Sequence, residues 1–304
     1  MLKRFSNNLS VSQIRYVFRH AKFDKRTLCV YCNSRQISVL SDNRFLCRKC
    51  YQKFSLFTNS YLSKTRLPLD EILELIYWFV YEFTANKTAK ETETKQKLVH
   101  NFFSVIRKAI CDYEEKEMNK FIGEVEVDET YVGPKFKNRR KKNREKLRQV
   151  NAVKRGRGAK NLFQPVFGIY QRNGTVYVKF VNNTGKKTLQ QIIKKKIVLE
   201  SDVYSDTWTA YDDLSKKGYK HETVDHGKKE YYRQTEKKKV HINGIEGFWG
   251  YMKERLLKHH GVSENNLIYY VKEQEFRFNN RHLKTDEMVV KIIKILMNFS
   301  PPDD

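Results

Sequence analysis

No apolar run in this chain approaches the roughly 18 to 20 residues that a membrane-spanning helix needs. The best candidate, ILELIYWFVYEF over 72–83, is too short and carries Glu74. The first 20 residues have scattered arginines and no continuous apolar core, so no secretory signal is expected. Cysteine is scarce, five in 304 residues. Without a secretory signal these cysteines belong in a reducing compartment, where metal binding is favoured over disulfides. Acid is the other shortage. Asp and Glu number 35 against 60 Lys and Arg, a net charge of +25, and the pI is near 9.7. Such an excess attracts polyanions, of which nucleic acid is the commonest. Internal repeats and low-complexity segments are also missing. What remains is enough for a sizeable core, with 39% hydrophobic and 13% aromatic residues, over a length that suits two or more domains.

The texture changes along the chain. Residues 1–27 read as a basic, partly helical lead-in, and 28–57 hold four cysteines and little else that builds a core. PLDEILELIYWFVYEF (68–83) and LVHNFFSVIRKAICDYEEKEM (98–118) have helical apolar spacing, with a polar short helix or turn between them. Helix, short element, helix is compatible with a helix-turn-helix or with a small packing bundle. After 120 the pattern turns to strands: IGEVEVDETYVG, then LFQPVFGIYQ and TVYVKFVN around a hairpin turn at Arg172-Asn173-Gly174. TLQQIIKKKIVL, the strand DVYSD, a helix over TWTAYDDLSKKG, the strand YKHETVDH and two further helices (242–258 and about 263–281) complete the order β, β, β, α, β, α, β, α. The expected boundaries are a ribbon at 28–57, a helical segment at 58–120, an α/β domain at 121–290 and a tail at 291–304. The fold class is α+β and multidomain.

Cys29-Val-Tyr-Cys32 and Cys47-Arg-Lys-Cys50 are two CxxC knuckles separated by fourteen residues. Each turn aims two thiolates at one point, and two turns complete a tetrahedral four-sulfur shell for one structural zinc ion. Four sulfurs leave no open position, so this metal folds a module and performs no chemistry. Arg35, Arg44, Arg48 and Lys49 are placed on it to meet phosphates. Cys111 sits alone on an apolar helix and reads as buried filler. Residues 135–160 hold thirteen Lys or Arg against the single acid Glu145. In KRGRGAK, Arg155, Arg157 and Lys160 are candidate phosphate contacts, and binding through them should be strongly salt-dependent. A solvated loop or a nuclear-localisation signal is the alternative reading of this stretch.

Against this background GEVEVDETYVGPK (123–135) packs four carboxylates into six residues. Along a strand Glu124, Glu126 and Asp128 share one face, with Glu129 on the other. Asp206 ends the strand VYSD, and Glu246 lies early in a helix, with Lys253 two turns further on. Two Asp on neighbouring core strands and a Glu on a following helix can converge on two divalent ions about 4 Å apart, as in phosphodiester cleavage. Oxygen ligands of this kind suit Mg²⁺ or Mn²⁺.

Together VEVDETYVG, SDTWTAY, HINGIEGFWGYMKERL and EFRFNNR resemble the Merlin-type DDE transposases and their ISXO-like bacterial insertion-sequence relatives. The resemblance covers nearly the whole chain, to about residue 282. It implies an RNase H-like catalytic domain with a mixed sheet. It makes Asp128, Asp206 and Glu246 the catalytic acids and metal ligands, and Lys253 a DNA contact. Asn243, one turn before Glu246, is the alternative third ligand, and Glu246 is preferred because a carboxylate neutralises metal charge. His221, His226 and His241 lie near the motifs, with DNA contact, proton transfer or packing as open roles. Glu124 and Glu129 receive no role, and Glu126 either supports the ligands from behind or is solvated at the sheet edge.

The expected function is cut-and-paste transposition on double-stranded DNA, at terminal inverted repeats and target, by a dimer or larger complex. The setting is the nucleus of a eukaryotic host or the cytoplasm of a bacterial one. The alternatives are, from another class, a domesticated transposase that kept DNA binding and lost catalysis and, third, a zinc-ribbon transcription factor with an unrelated C-terminal domain. The transcription factor leaves the acidic strand unexplained.

Overall fold

The computed structural model describes residues 9–117, 119–133, 141, 144–145, 163–228, 232–234 and 239–301. Two compact units emerge: Met1–Lys116 with His282–Asp304, and Glu117–Arg281.

The first unit opens with helix α1 (Val11–Phe23), started by a capping box between Ser10 and Gln13. Strands β1 (Ile37–Val39), β2 (Phe45–Cys47) and β3 (Lys53–Phe54) form a three-stranded antiparallel sheet. Its core is Cys29, Phe45, Cys47 and Phe54. Three helices follow: α2 (Leu69–Val80), α3 (Ala85–Glu91) and α4 (Gln96–Glu117). The polar stretch between the two long helices is therefore a short helix and a turn. Phe79 of α2 meets Phe103 of α4 edge to face, with ring centroids 5.2 Å apart.

In the second unit the strands are β4 (Glu124–Val132), β5 (Gln164–Gln171) and β6 (Val176–Phe180). Helix α5 (Lys186–Lys196), β7 (Asp202–Asp206) and β8 (Lys220–Val224) come next, then the small hairpin β9 (Arg233–Gln234) and β10 (Lys239–Val240), and helices α6 (Asn243–Leu257) and α7 (Glu264–Asn279). The main sheet has the order β6-β5-β4-β7-β8. β4 is antiparallel to β5 and parallel to β7, and β7 is parallel to β8. Alternation along β4 divides the core. Val125 and Val127 pack with Leu189 and Ile193 of α5 on one face. Val132, Val166, Val178 and Tyr204 pack with Ile245, Phe248, Trp249 and Met252 of α6 on the other. The sheet is mixed and carries helices on both faces.

Two stretches differ from the sequence reading. TWTAYDDLSKKG forms two 3₁₀ turns, Thr209–Tyr211 and Ser215–Lys217, in place of one helix. The break is at Asp213, held at φ 66, and the buried Gln190 amide donates to the Ala210 and Asp212 carbonyls (3.0 and 2.7 Å) that a helix would have used. The expected tail 291–304 instead continues helix α8 (Thr285–Asn298). Its apolar residues Met288, Val289, Ile292, Ile293 and Leu296 fall at helical spacing and are buried. Asn298 donates to the Ala21 carbonyl at 2.8 Å, so α8 belongs to the first unit. Among the described residues no helix is long and apolar enough to cross a membrane.

Candidate functional site

Strand β4 pairs with β7 in the register Glu124↔Asp202, Val125↔Val203, Glu126↔Tyr204. Two residues further along both strands stand Asp128 and Asp206, on the same face and close enough for Asp206 to raise the pKa of Asp128. Asp206 turns its carboxylate back to accept the Trp208 backbone N–H at 3.0 Å. Asp128 is held by a second element: Trp249 of α6 donates its indole N–H to Asp128 Oδ2 at 2.9 Å. Burial pushes the Asp128 carboxyl up to about 8, with Glu129 and Asp206 adding to the rise and the Trp249 bond opposing it. Glu129 points to the other face, where the buried Tyr211 hydroxyl donates to it.

Glu246 sits in the first turn of α6, exposed, one turn before Trp249. Asn243 and Lys253 are also exposed on this helix. The helix thus carries both the third acid and the donor that orients the first. Among the described residues the ligand atoms of Asp128, Asp206 and Glu246 do not gather within 4.8 Å of one another; the four cysteines alone do so. The donor set still suits divalent ions, since two carboxylates stand on adjacent parallel strands and one of them resists ionising without a cation. Arg155, Arg157 and Lys160 lie outside the described residues.

The other acids of the row are explained by a residue that the sequence reading treated only as part of a turn. Arg172, at the β5–β6 hairpin, donates from Nε to Glu126 Oε1 (2.9 Å) and from Nη1 to Glu124 Oε1 (2.7 Å). It also reaches the Lys239 and His241 carbonyls and stacks 4.0 Å from the Tyr204 ring centroid. Glu126 has 0% exposure, which rules out the solvated reading. Its second oxygen accepts the Ile245 backbone N–H at 2.9 Å. That bond caps the N-terminus of α6 with a negative charge, where the helix dipole favours one. The acidic strand therefore divides: Asp128 stands beside Asp206 and accepts from Trp249, while Glu126, paired with Arg172, anchors the helix that bears Glu246. An arginine beside an acidic strand was the available clue, but the turn residues around it masked its role.

Close approach makes this anchoring possible. A Cβ on Gly244 would stand 2.2 Å from Tyr170 Cε1 and 2.8 Å from Glu126 Oε2, whereas one on Gly247 or Gly250 meets nothing within 4 Å. Gly244→Ala is expected to lower stability by about 1–3 kcal/mol through the clash. Gly247→Ala on the same helix is expected to raise it by about 0.5–1 kcal/mol. Thermal melts of the two variants check this opposition of sign. Gly168, opposite Asp128 in the β4–β5 register, leaves room for the Trp249 ring in the same way, at 2.5 Å.

His221 Nε2 lies 2.9 Å from the Ser205 hydroxyl, and burial lowers its pKa. His241 Nδ1 lies 3.3 Å from Glu126 Oε1, within the anchoring cluster. His226 opens a short 3₁₀ turn.

In the first unit, the Sγ atoms of Cys29, Cys32, Cys47 and Cys50 all lie within 4.8 Å of one another. The Cys50 backbone N–H points at Cys47 Sγ (3.5 Å). That bond, joined by the Lys49 N–H, brings the Cys47 thiol down to about 6. This cluster fits a zinc ribbon.

The family model of the ISXO2-like transposase domain matches residues 120–279. An uncharacterized transposase-like protein of Haemophilus influenzae is 34% identical over 116 residues, which is 38% of this chain and 90% of that protein. An uncharacterized protein in transposable element ISH50 of Halobacterium salinarum is 25% identical over 258 residues, 82% of this chain and 85% of that one. Among solved structures, a chain titled Mos1 transposase paired-end complex with left transposon end aligns over 73% of this chain and 78% of that one. It does so at 12% identity and a TM-score of 0.22.

Proposed function

The chain belongs to the family of ISXO2-like transposase domains, and from its site we infer that it is a DNA transposase acting by cut and paste. The observation that carries this reading is the pair Asp128 and Asp206 on adjacent parallel strands, with Glu246 on a helix bonded back to the same strand. The sheet order, with its first strand central and flanked by one antiparallel and one parallel neighbour, supports an RNase H-like catalytic domain.

In this reading Asp128, Asp206 and Glu246 hold the catalytic divalent ions, Mg²⁺ or Mn²⁺. When bound, such ions activate the attacking oxygen and stabilise the leaving one. Trp249 fixes the orientation of Asp128, and Glu126 with Arg172 holds α6 in place. Lys253, Arg155, Arg157 and Lys160 neutralise phosphates of the DNA. Water attacks the phosphorus at the element end, the P–O3′ bond breaks, and the element keeps a 3′-hydroxyl while the flank keeps the phosphate. That hydroxyl then attacks a target phosphodiester and displaces the target's own 3′ oxygen. Water and then the 3′-hydroxyl are the nucleophiles, so no covalent Tyr or Ser intermediate is assigned. Two ends must be cut together, which calls for a dimer or larger complex on DNA.

The test uses purified protein and duplexes carrying the element's own ends. Cutting and joining are expected with Mg²⁺ or Mn²⁺ and not with a chelator. Cutting that proceeds undiminished in the chelator would sink the reading. Retention of the duplex without any cutting would point to the domesticated, non-catalytic alternative.

A further inference from the structure

The turn after helix α3 passes through Glu93, which takes the left-handed conformation at φ 53. The Thr94 N–H returns to the Ala89 carbonyl at 3.0 Å and the Thr92 N–H to Thr88 at 2.9 Å, closing the helix with a Schellman-type turn. Only residues 92–95 separate α3 from α4. The Gln96 side chain at the start of α4 donates to Asn86 of α3 at 2.5 Å, bracing one helix against the other. This is a helix, a tight turn and a second, longer helix.

The two sides of α4 differ sharply. Val99, Phe102, Phe103, Ile106 and Ile110 are buried. On the other side, in the first three turns, Lys97, His100 and Asn101 are exposed and Ser104 is half-buried. At 3.6 residues per turn these four share one face. They are mostly neutral donors and acceptors, the groups that discriminate base edges, where an ordinary solvated face would be charged. Around the turn Lys87, Lys90 and Lys95 are exposed, placed to meet phosphates, with Glu91 and Glu93 exposed between them, so the turn itself is only weakly positive and Lys97 on the face adds to it.

We propose that the face of α4 formed by Lys97, His100, Asn101 and Ser104 enters the major groove of duplex DNA and reads its base edges. The charge around the turn and the polar character of the face both fit that one occupant. The second helix of a helix-turn-helix presents its N-terminal residues to bases in this way, and Asn suits a bidentate contact to adenine N6 and N7. The proposal rests on the transposase reading for which DNA is bound, but not for whether α4 reads sequence.

The experiment selects preferred duplexes from a random library with the full-length protein, wild type and variants, and measures cutting separately. Wild type is expected to enrich a defined sequence. Asn101→Ala is expected to lose preference at one or two adjacent positions, by roughly tenfold. Asn101→Asp is expected to move preference there from adenine toward cytosine, whose amino group a carboxylate accepts. Lys90→Ala is expected to weaken binding to all sequences alike and to flatten the salt dependence. These sites are exposed, so unchanged thermal melts establish that the variants fold. An enriched sequence identical in wild type and both Asn101 variants overturns the proposal, as does wild type enriching no sequence. Absence of cutting with the α4 effects intact would count against the transposase reading alone.

Discussion

Asparagine in place of Asp128 is expected to give a protein that is inactive at every metal concentration, yet more stable than wild type at alkaline pH in a chelator. The sign follows from the raised carboxyl. An unfolded Asp ionises near 3.9, whereas the folded chain holds Asp128 protonated up to about 8. Below pH 4 both states carry the proton and there is no penalty. As pH rises from 4 to 8 the unfolded state ionises freely while the folded state cannot, so wild type loses stability across that window. Asparagine does not titrate, and its amide oxygen still accepts the Trp249 N–H. The melting temperatures should coincide near pH 4 and separate by roughly 5 °C or more at pH 9. Metal-dependent cutting should fall by at least about a thousandfold, since removing a ligand carboxylate forfeits several kcal/mol of transition-state stabilisation. A melting difference that is flat with pH, or cutting near wild-type rates, would refute this account of Asp128. The ion that binds must displace a proton, so its affinity in wild type should rise with pH over the same range.

Many of the chain's elements were legible because they rest on local patterns. Two CxxC turns marked the cysteine cluster, and helical spacing marked α2, α4, α6 and α7. Alternation along VEVDETYV gave β4 and separated Asp128 from Glu129, which bond to opposite faces. What stayed hidden depends on contacts distant in sequence. Glu126 and Ile245 are 119 positions apart, and Arg172 and Glu126 are 46 apart, so no local pattern joins them. The missed break at Asp213 has the same origin, because Gln190 takes the carbonyls a helix would have used. The supposed tail failed differently. Its apolar spacing was readable, but the domain to which α8 belongs is settled by packing against a helix at the other end of the sequence.

We propose that the four-cysteine cluster holds one zinc ion; serine in place of Cys47 is then expected to cost the first unit that ion and the fold of residues 28–57 together. The core there is small: two phenylalanines and two of the ligand cysteines. A module of about thirty residues does not bury enough apolar surface to offset its chain entropy, which is why such modules depend on metal. Zinc bound to comparable ribbons and fingers contributes apparent free energies of roughly 10–16 kcal/mol, far more than any single side chain here. Of the four sulfurs within 4.8 Å, the Cys47 thiol is brought down to about 6 while that of Cys50 is pushed up to about 12, so without a cation the cluster does not ionise as a whole and a bound ion must displace protons from it. The variant should therefore lose one zinc per chain by metal analysis and become protease-sensitive between 28 and 57. The second unit has its own core on both faces of its sheet, so it should stay protected. Cys111→Ser is the control, because Cys111 is buried on α4 and takes no part in the cluster; it should keep its zinc. A Cys47→Ser protein that retains zinc and wild-type protease resistance would mean that the four sulfurs do not hold the ribbon together. Loss of sequence-selective DNA binding in that variant, with α4 still folded, would place part of the recognition on the ribbon's arginines as well as on the helix.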